Sequence, residues 1–154
     1  MIVKMLATTA TLLCLATGMA HGQASNPLVG TWKLNVAKSS GGFKSGTTKI
    51  EAAGEGVKFI VDMVAADGKA SHWTLTANFD GKDSPVTGDS PYGDMTAFTR
   101  IDANTTRMVS KKAGKVTVTQ TIVVSADGKT RTTTTKGTNA MGQPVDTVAV
   151  YEKQ

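Results

Sequence analysis

Residues 59–77 read Phe-Ile-Val-Asp-Met-Val-Ala-Ala-Asp-Gly-Lys-Ala-Ser-His-Trp-Thr-Leu-Thr-Ala, and this stretch decides the fold. Phe59, Val61 and Met63 repeat at every second position, as do Trp73, Leu75 and Ala77 beyond the Asp67-Gly68 pair. Period-two apolar spacing on both sides of an Asp-Gly turn signals a β-hairpin. A three-residue loop over 66–68 sets Phe59 against Leu75, Val61 against Trp73 and Met63 against Ser71, and puts all six apolar residues on one face. A two-residue loop divides them between faces, so the apolar pattern selects the longer loop.

The same punctuation recurs along the chain, as Phe79-Asp80-Gly81-Lys82 and Ala126-Asp127-Gly128-Lys129. Softer turns fall at Gly54-Glu55-Gly56, Ala103-Asn104, Ala113-Gly114 and 139–143. Between them the pattern predicts strands at about 28–35, 47–53, 57–65, 70–79, 83–87, 95–102, 105–112, 115–125, 130–138 and 144–153. Thr supplies 20 of the 130 residues from Ser25 onward, a strand-favouring composition, and no stretch carries helical apolar spacing. The fold class is all-β. Short strands joined in chain order by tight turns make an up-and-down antiparallel barrel of about 8–10 strands the leading architecture, with a β-sandwich as the alternative.

Three-residue loops at the later turns line up Phe98, Met108 and Val118, with a polar row of Arg100, Thr106, Gln120 and Thr134 beside them. A four-residue loop over 139–142 places Thr147 opposite Thr134, with Ala149 and Tyr151 on the same face. Phe98, Met108, Val116, Val118, Ile122 and Val124 identify that face as the interior. A one-residue slip at the softer turns brings Arg107 into line with Gln120 instead.

The chain has 154 residues, a formal net charge of +5 and one cysteine. Residues 1–24 read as a secretory signal peptide: Lys4, an uncharged run from Leu6 to Ala20, and Gly22-Gln23-Ala24 before the cut. Cleavage after Ala20 is the alternative. The run is too short and too rich in Thr and Gly for a membrane span, and Cys14 falls inside the removed segment. The mature chain reads as a single domain, 25–154, without cysteine, in a periplasmic or secreted setting. Its core alone must stabilise it. Lys and Arg are dispersed among acids, and no basic stripe is interleaved with aromatics, which argues against nucleic acid as a partner.

Leu28-Val29-Gly30-Thr31-Trp32-Lys33-Leu34 resembles the opening strand of the intracellular fatty-acid-binding proteins, and Gly-x-Trp recurs among lipocalins. Val150-Tyr151-Glu152-Lys153 is similar to the closing strand of the same proteins. The whole domain also resembles small exported lipocalin-like (calycin-type) proteins of bacteria, which begin Gly-Thr-Trp-Lys-Leu-Asn and repeat Asp-Gly-Lys turns. The resemblance implies a ligand-binding barrel. The eleven residues 36–46 leave no room for the two-helix lid of the fatty-acid-binding proteins, and Ala149 stands where that family carries an Arg for the fatty-acid carboxylate. A fatty-acid cargo therefore does not follow.

The expected ligand-binding residues are Arg100, Gln120, Thr134, Thr147, Tyr151 and Trp73. An inward arginine is costly without partners and suits a ligand carboxylate, while ordered water along the Thr/Gln row is the competing account. Trp32 reads as the plug of the closed end. Tyr92, in the irregular stretch 87–94, is a candidate gate of the mouth. His72 lies opposite Asp62, a pairing that resembles a catalytic dyad, yet the hairpin register sends both to the outer face, and no Gly-x-Ser-x-Gly elbow is present. One His and no Cys after cleavage disfavour a metal site, and Asp80, Asp83 and Asp89 match no calcium motif. The reading is a soluble, monomeric barrel that binds a small, partly apolar molecule without a cofactor. Its competitors are a packed barrel acting as a protein-interaction module, and a small cavity-based isomerase or lyase.

Overall fold

The computed structural model describes residues 26–154. The expected signal peptide, both of its cleavage positions and Cys14 lie outside the described residues. Ten antiparallel strands follow one another: β1 (Gly30–Leu34), β2 (Phe43–Ala53), β3 (Gly56–Ala65), β4 (Ala70–Ala77), β5 (Asp80–Gly88), β6 (Met95–Arg100), β7 (Thr105–Lys112), β8 (Lys115–Val124), β9 (Thr130–Thr138) and β10 (Pro144–Lys153). Each pairs with its neighbour in chain order, and β1 pairs with β10 to close the barrel. Closure leaves no unpaired sheet edge, which a sandwich of two sheets would retain. Between β1 and β2 stands one 3-10 turn, Val36–Lys38, capped by the Asn35 side chain accepting from the Lys38 amide. Among the described residues no helical pair covers the mouth.

The hairpin set by residues 59–77 has the expected register: Phe59 faces Leu75, Val61 faces Trp73 and Met63 faces Ser71. All of these but Ser71 are buried. The β6–β7 pair also follows expectation, with Phe98 against Met108 and Arg100 against Thr106. The β7–β8 pair is displaced by two residues, so that Met108 faces Gln120, with an irregularity between Val109 and Lys111. An even shift keeps every side chain on its face, and Val118 and Gln120 stay inside.

The β8–β9 pair is displaced by one residue, and that flips β9. Gln120 faces Thr135, Ile122 faces Thr133 and Val124 faces Arg131. Thr134 is thereby turned to the outer face, and Arg131 is turned inward. The cause is local. In the hairpin at 65–69 the backbone closes between Ala65 and Lys69, leaving three residues in the loop. At 125–130 it closes between Ser125 and Thr130, leaving four. The Ser125 hydroxyl donates to Asp127 and accepts from the Thr130 amide at 2.9 Å, bonds that alanine at position 65 cannot make.

The barrel tapers into a closed end at the β2–β3, β4–β5, β6–β7 and β8–β9 turns. Trp32 is fully buried there, and its indole N–H donates to the Leu28 carbonyl at 2.8 Å. Ile50, Val57, Ala77 and Val124 are buried at the same end, and Phe98 packs tilted against Phe59 (5.3 Å between centroids) and edge-on against Phe79 (6.2 Å). Each of the larger side chains contributes about 1.5–3 kcal/mol by leaving water. The opposite end, at the β3–β4, β5–β6, β7–β8 and β9–β10 connections, is open and less apolar.

Candidate functional site

β9 is almost continuous threonine from Thr130 to Thr135, with Arg131 the single exception. Its inward residues form a polar column: Arg131 lowest, then Thr133, then Thr135. Thr48 of β2, Gln120 of β8 and Tyr151 of β10 complete the lining from the facing strands. Gln120 donates through Nε2 to Thr135 Oγ1 at 2.9 Å. Its Oε1 has no partner, nor has the hydroxyl of Thr133. Either orientation of the amide leaves one of its polar atoms facing the interior unbonded.

Arg131 lies beneath this cavity rather than in its wall. Nη2 donates to Thr48 Oγ1 at 3.1 Å, and the guanidinium carbon lies 4.0 Å from the Tyr151 ring centroid and 5.7 Å from that of Trp32. Nε is unbonded. Burial pulls its pKa down to about 10, against the charge and hydrogen bond of Tyr151, which raise it. The group therefore stays cationic at neutral pH, with two aromatic faces in place of a carboxylate.

The cavity over Arg131 has a volume of about 70 Å³. Its upper wall is Phe43, Met63, Trp73, Met108 and Tyr92, and it contains no acidic side chain. Beyond Phe43, Trp73 and Tyr92 lies an open vestibule of about 520 Å³ that reaches the β9–β10 tip at Met141. Phe43, Met63, Trp73, Tyr92 and Thr147 belong to both spaces. Tyr92 stands edge-on to Trp73, with centroids 6.4 Å apart. Half-buried, it lines both the interior cavity and the vestibule. Burial, and secondarily the nearby Tyr151, push its pKa up to about 12, with a hydrogen bond to Thr135 acting the other way.

Of the six residues expected to bind, Gln120, Thr147, Tyr151 and Trp73 line this space. Arg100 and Thr134 do not. Arg100 keeps the expected pairing but is the last residue of β6, exposed at the closed rim with its guanidinium 4.1 Å from the Phe79 ring centroid. Thr134 lies outside because of the β8–β9 register. Arg107, the alternative inward arginine, pairs with Thr121 on the outer face and is exposed. The inward arginine is Arg131, whose signal was present only in the serine that lengthens the preceding hairpin.

His72 and Asp62 are cross-strand partners, with Nδ1 2.7 Å from Oδ1, on the outer face and exposed. The interior cavity is lined by no Asp, Glu or His side chain, and among the described residues no acidic, His or Cys side chains form a group of three able to hold a metal. No helix among them is long and apolar enough to cross a membrane. Comparison with protein-family models, with curated proteins and with solved structures finds no match to this chain.

Proposed function

We propose that this chain is an exported, lipocalin-like binding protein that takes one small amphipathic molecule through the open end of its barrel. The observation that carries the reading is a pair of buried polar atoms without a partner, Gln120 Oε1 and the Thr133 hydroxyl, in residues that line a cavity continuing into an aromatic vestibule. Leaving such a group unsatisfied costs about 1–3 kcal/mol. A ligand's polar head on these two groups recovers that cost. Phe43, Trp73 and Tyr92 then receive its apolar body. Pockets of this kind, largely apolar with a few convergent polar groups, are the usual form of small-molecule sites.

The second reading is a filled barrel that acts on a protein partner through its loops, and the small interior volume favours it. The experiment that separates the two is an equilibrium titration with 1-anilinonaphthalene-8-sulfonate. The carrier reading expects saturable one-to-one binding, weakened roughly tenfold or more when Gln120→Leu and Thr133→Val are combined. Absence of saturable binding, or equal affinity in the double variant, overturns it.

A further inference from the structure

The connection between β5 and β6 does not run straight from strand to strand. Pro91 accepts from the Ala140 amide at 3.0 Å, which ties it to the β9–β10 hairpin. The carbonyl of Tyr92 accepts from the Thr117 hydroxyl of β8. The segment therefore arches over the mouth from one wall of the barrel to the other. Its two ends are pinned. Gly88 has φ +104°, and a Cβ there would overlap the His72 carbonyl oxygen; Gly93 has φ +148°, and a Cβ there would overlap the Lys111 carbonyl oxygen. Glycine is required at both, for backbone angle and for close approach. The Asp89 amide donates to His72 at 2.8 Å and the Asp94 amide to Lys111 at 3.0 Å, so the arch between them is held at its feet by strand contacts.

At the crown, Tyr92 is the one arch side chain that enters the barrel: it lines both the interior cavity and the vestibule, and it packs against Trp73. Its remaining local tie is its amide, which donates to the Ser90 hydroxyl at 3.2 Å. Resting on the proposed binding role, we infer that Tyr92 is the size-selecting gate of the barrel. Its ring divides a 70 Å³ chamber from a 520 Å³ vestibule. With the ring in place, the chamber takes only a small head group. With the ring swung out between its pinned ends, chamber and vestibule join into one space for a bulkier ligand. The gate works by volume. The ring, not the hydroxyl, is the obstruction, so phenylalanine keeps the gate and a small side chain removes it.

The test is stopped-flow association of 1-anilinonaphthalene-8-sulfonate with the wild-type chain and with Tyr92→Phe, Tyr92→Leu and Tyr92→Ala. Acrylamide quenching of tryptophan is measured alongside. Trp32, fully buried at the closed end, is the internal reference for Trp73. The gate predicts association roughly tenfold faster in Tyr92→Ala, an intermediate gain in Tyr92→Leu and a rate within about twofold of wild type in Tyr92→Phe. Trp73 becomes quenchable in Tyr92→Ala while Trp32 does not. Should Tyr92→Ala fail to fold, the Leu and Phe variants still order the rates. If all four proteins bind the probe at the same rate, the gate is wrong and the binding role stands. If none binds, both fall together.

Discussion

The guanidinium of Arg131 lies 4.0 Å from the centre of the Tyr151 ring, buried and without a carboxylate partner among the described residues. A buried charge held this way adds little net stability, because its desolvation offsets what the aromatic faces return. Arg131→Met, which keeps the stem and drops the charge, is expected to change unfolding free energy by no more than about 1 kcal/mol. Arg131→Ala, which leaves a void under Tyr151 and Thr48, is expected to cost about 2–5 kcal/mol. Urea unfolding of both variants checks the difference.

Tyr92 carries a pH signature. Its phenol titrates near 10 in the unfolded chain and near 12 in the fold, where burial disfavours the phenolate. The folded state thus holds its proton more tightly. The resulting stability is fully present below pH 10 and is lost as pH rises from 10 toward 12. Arg131 acts in the opposite sense over the same interval, since its folded pKa lies below its unfolded value and its penalty lifts above pH 10. Tyr92→Phe should therefore become more stable relative to wild type between pH 10 and 12, and Arg131→Met less stable relative to wild type over the same interval. Unfolding curves at pH 9, 10 and 11 for the three proteins test the two signs.

Gln120→Leu and Thr133→Val remove polar groups whose hydrogen bonds the fold does not complete. Stability should stay level or rise in Thr133→Val, because an apolar replacement of an unsatisfied buried group is close to neutral, and fall by no more than about 1–2 kcal/mol in Gln120→Leu, which also gives up the bond to Thr135. Binding of 1-anilinonaphthalene-8-sulfonate should weaken in the same variants. A thermal melt paired with the titration detects this split between stability and binding.

His72→Ala breaks an exposed side-chain contact between neighbouring strands. Its effect on unfolding free energy is expected to stay within about 0.5 kcal/mol, with probe affinity unchanged. A larger loss of affinity would move the functional site to the outer face of β3 and β4.

Alternating apolar residues made the barrel and the β3–β4 register legible, because Phe59, Val61, Met63, Trp73 and Leu75 allow only one pairing that buries them together. The β8–β9 register was not legible that way. With threonine at 130 and again from 132 to 135, polarity does not distinguish the two faces of this part of β9, and a charge at 131 gives no reason to turn that residue inward. Ser125 decided it, through two hydrogen bonds that add a residue to the loop. That single added residue removes Thr134 from the site and brings Arg131 into it. Arg100 was displaced for another reason: its pairing was right, but its strand ends there, at the rim.

The most direct test of the binding role is native mass spectrometry of the chain purified from the cells that produce it, followed by denaturing extraction. The binding role predicts one small amphipathic molecule bound per chain, released on denaturation and missing from the Gln120→Leu/Thr133→Val protein. An unliganded mass for both proteins, together with no saturable binding of 1-anilinonaphthalene-8-sulfonate, would contradict it.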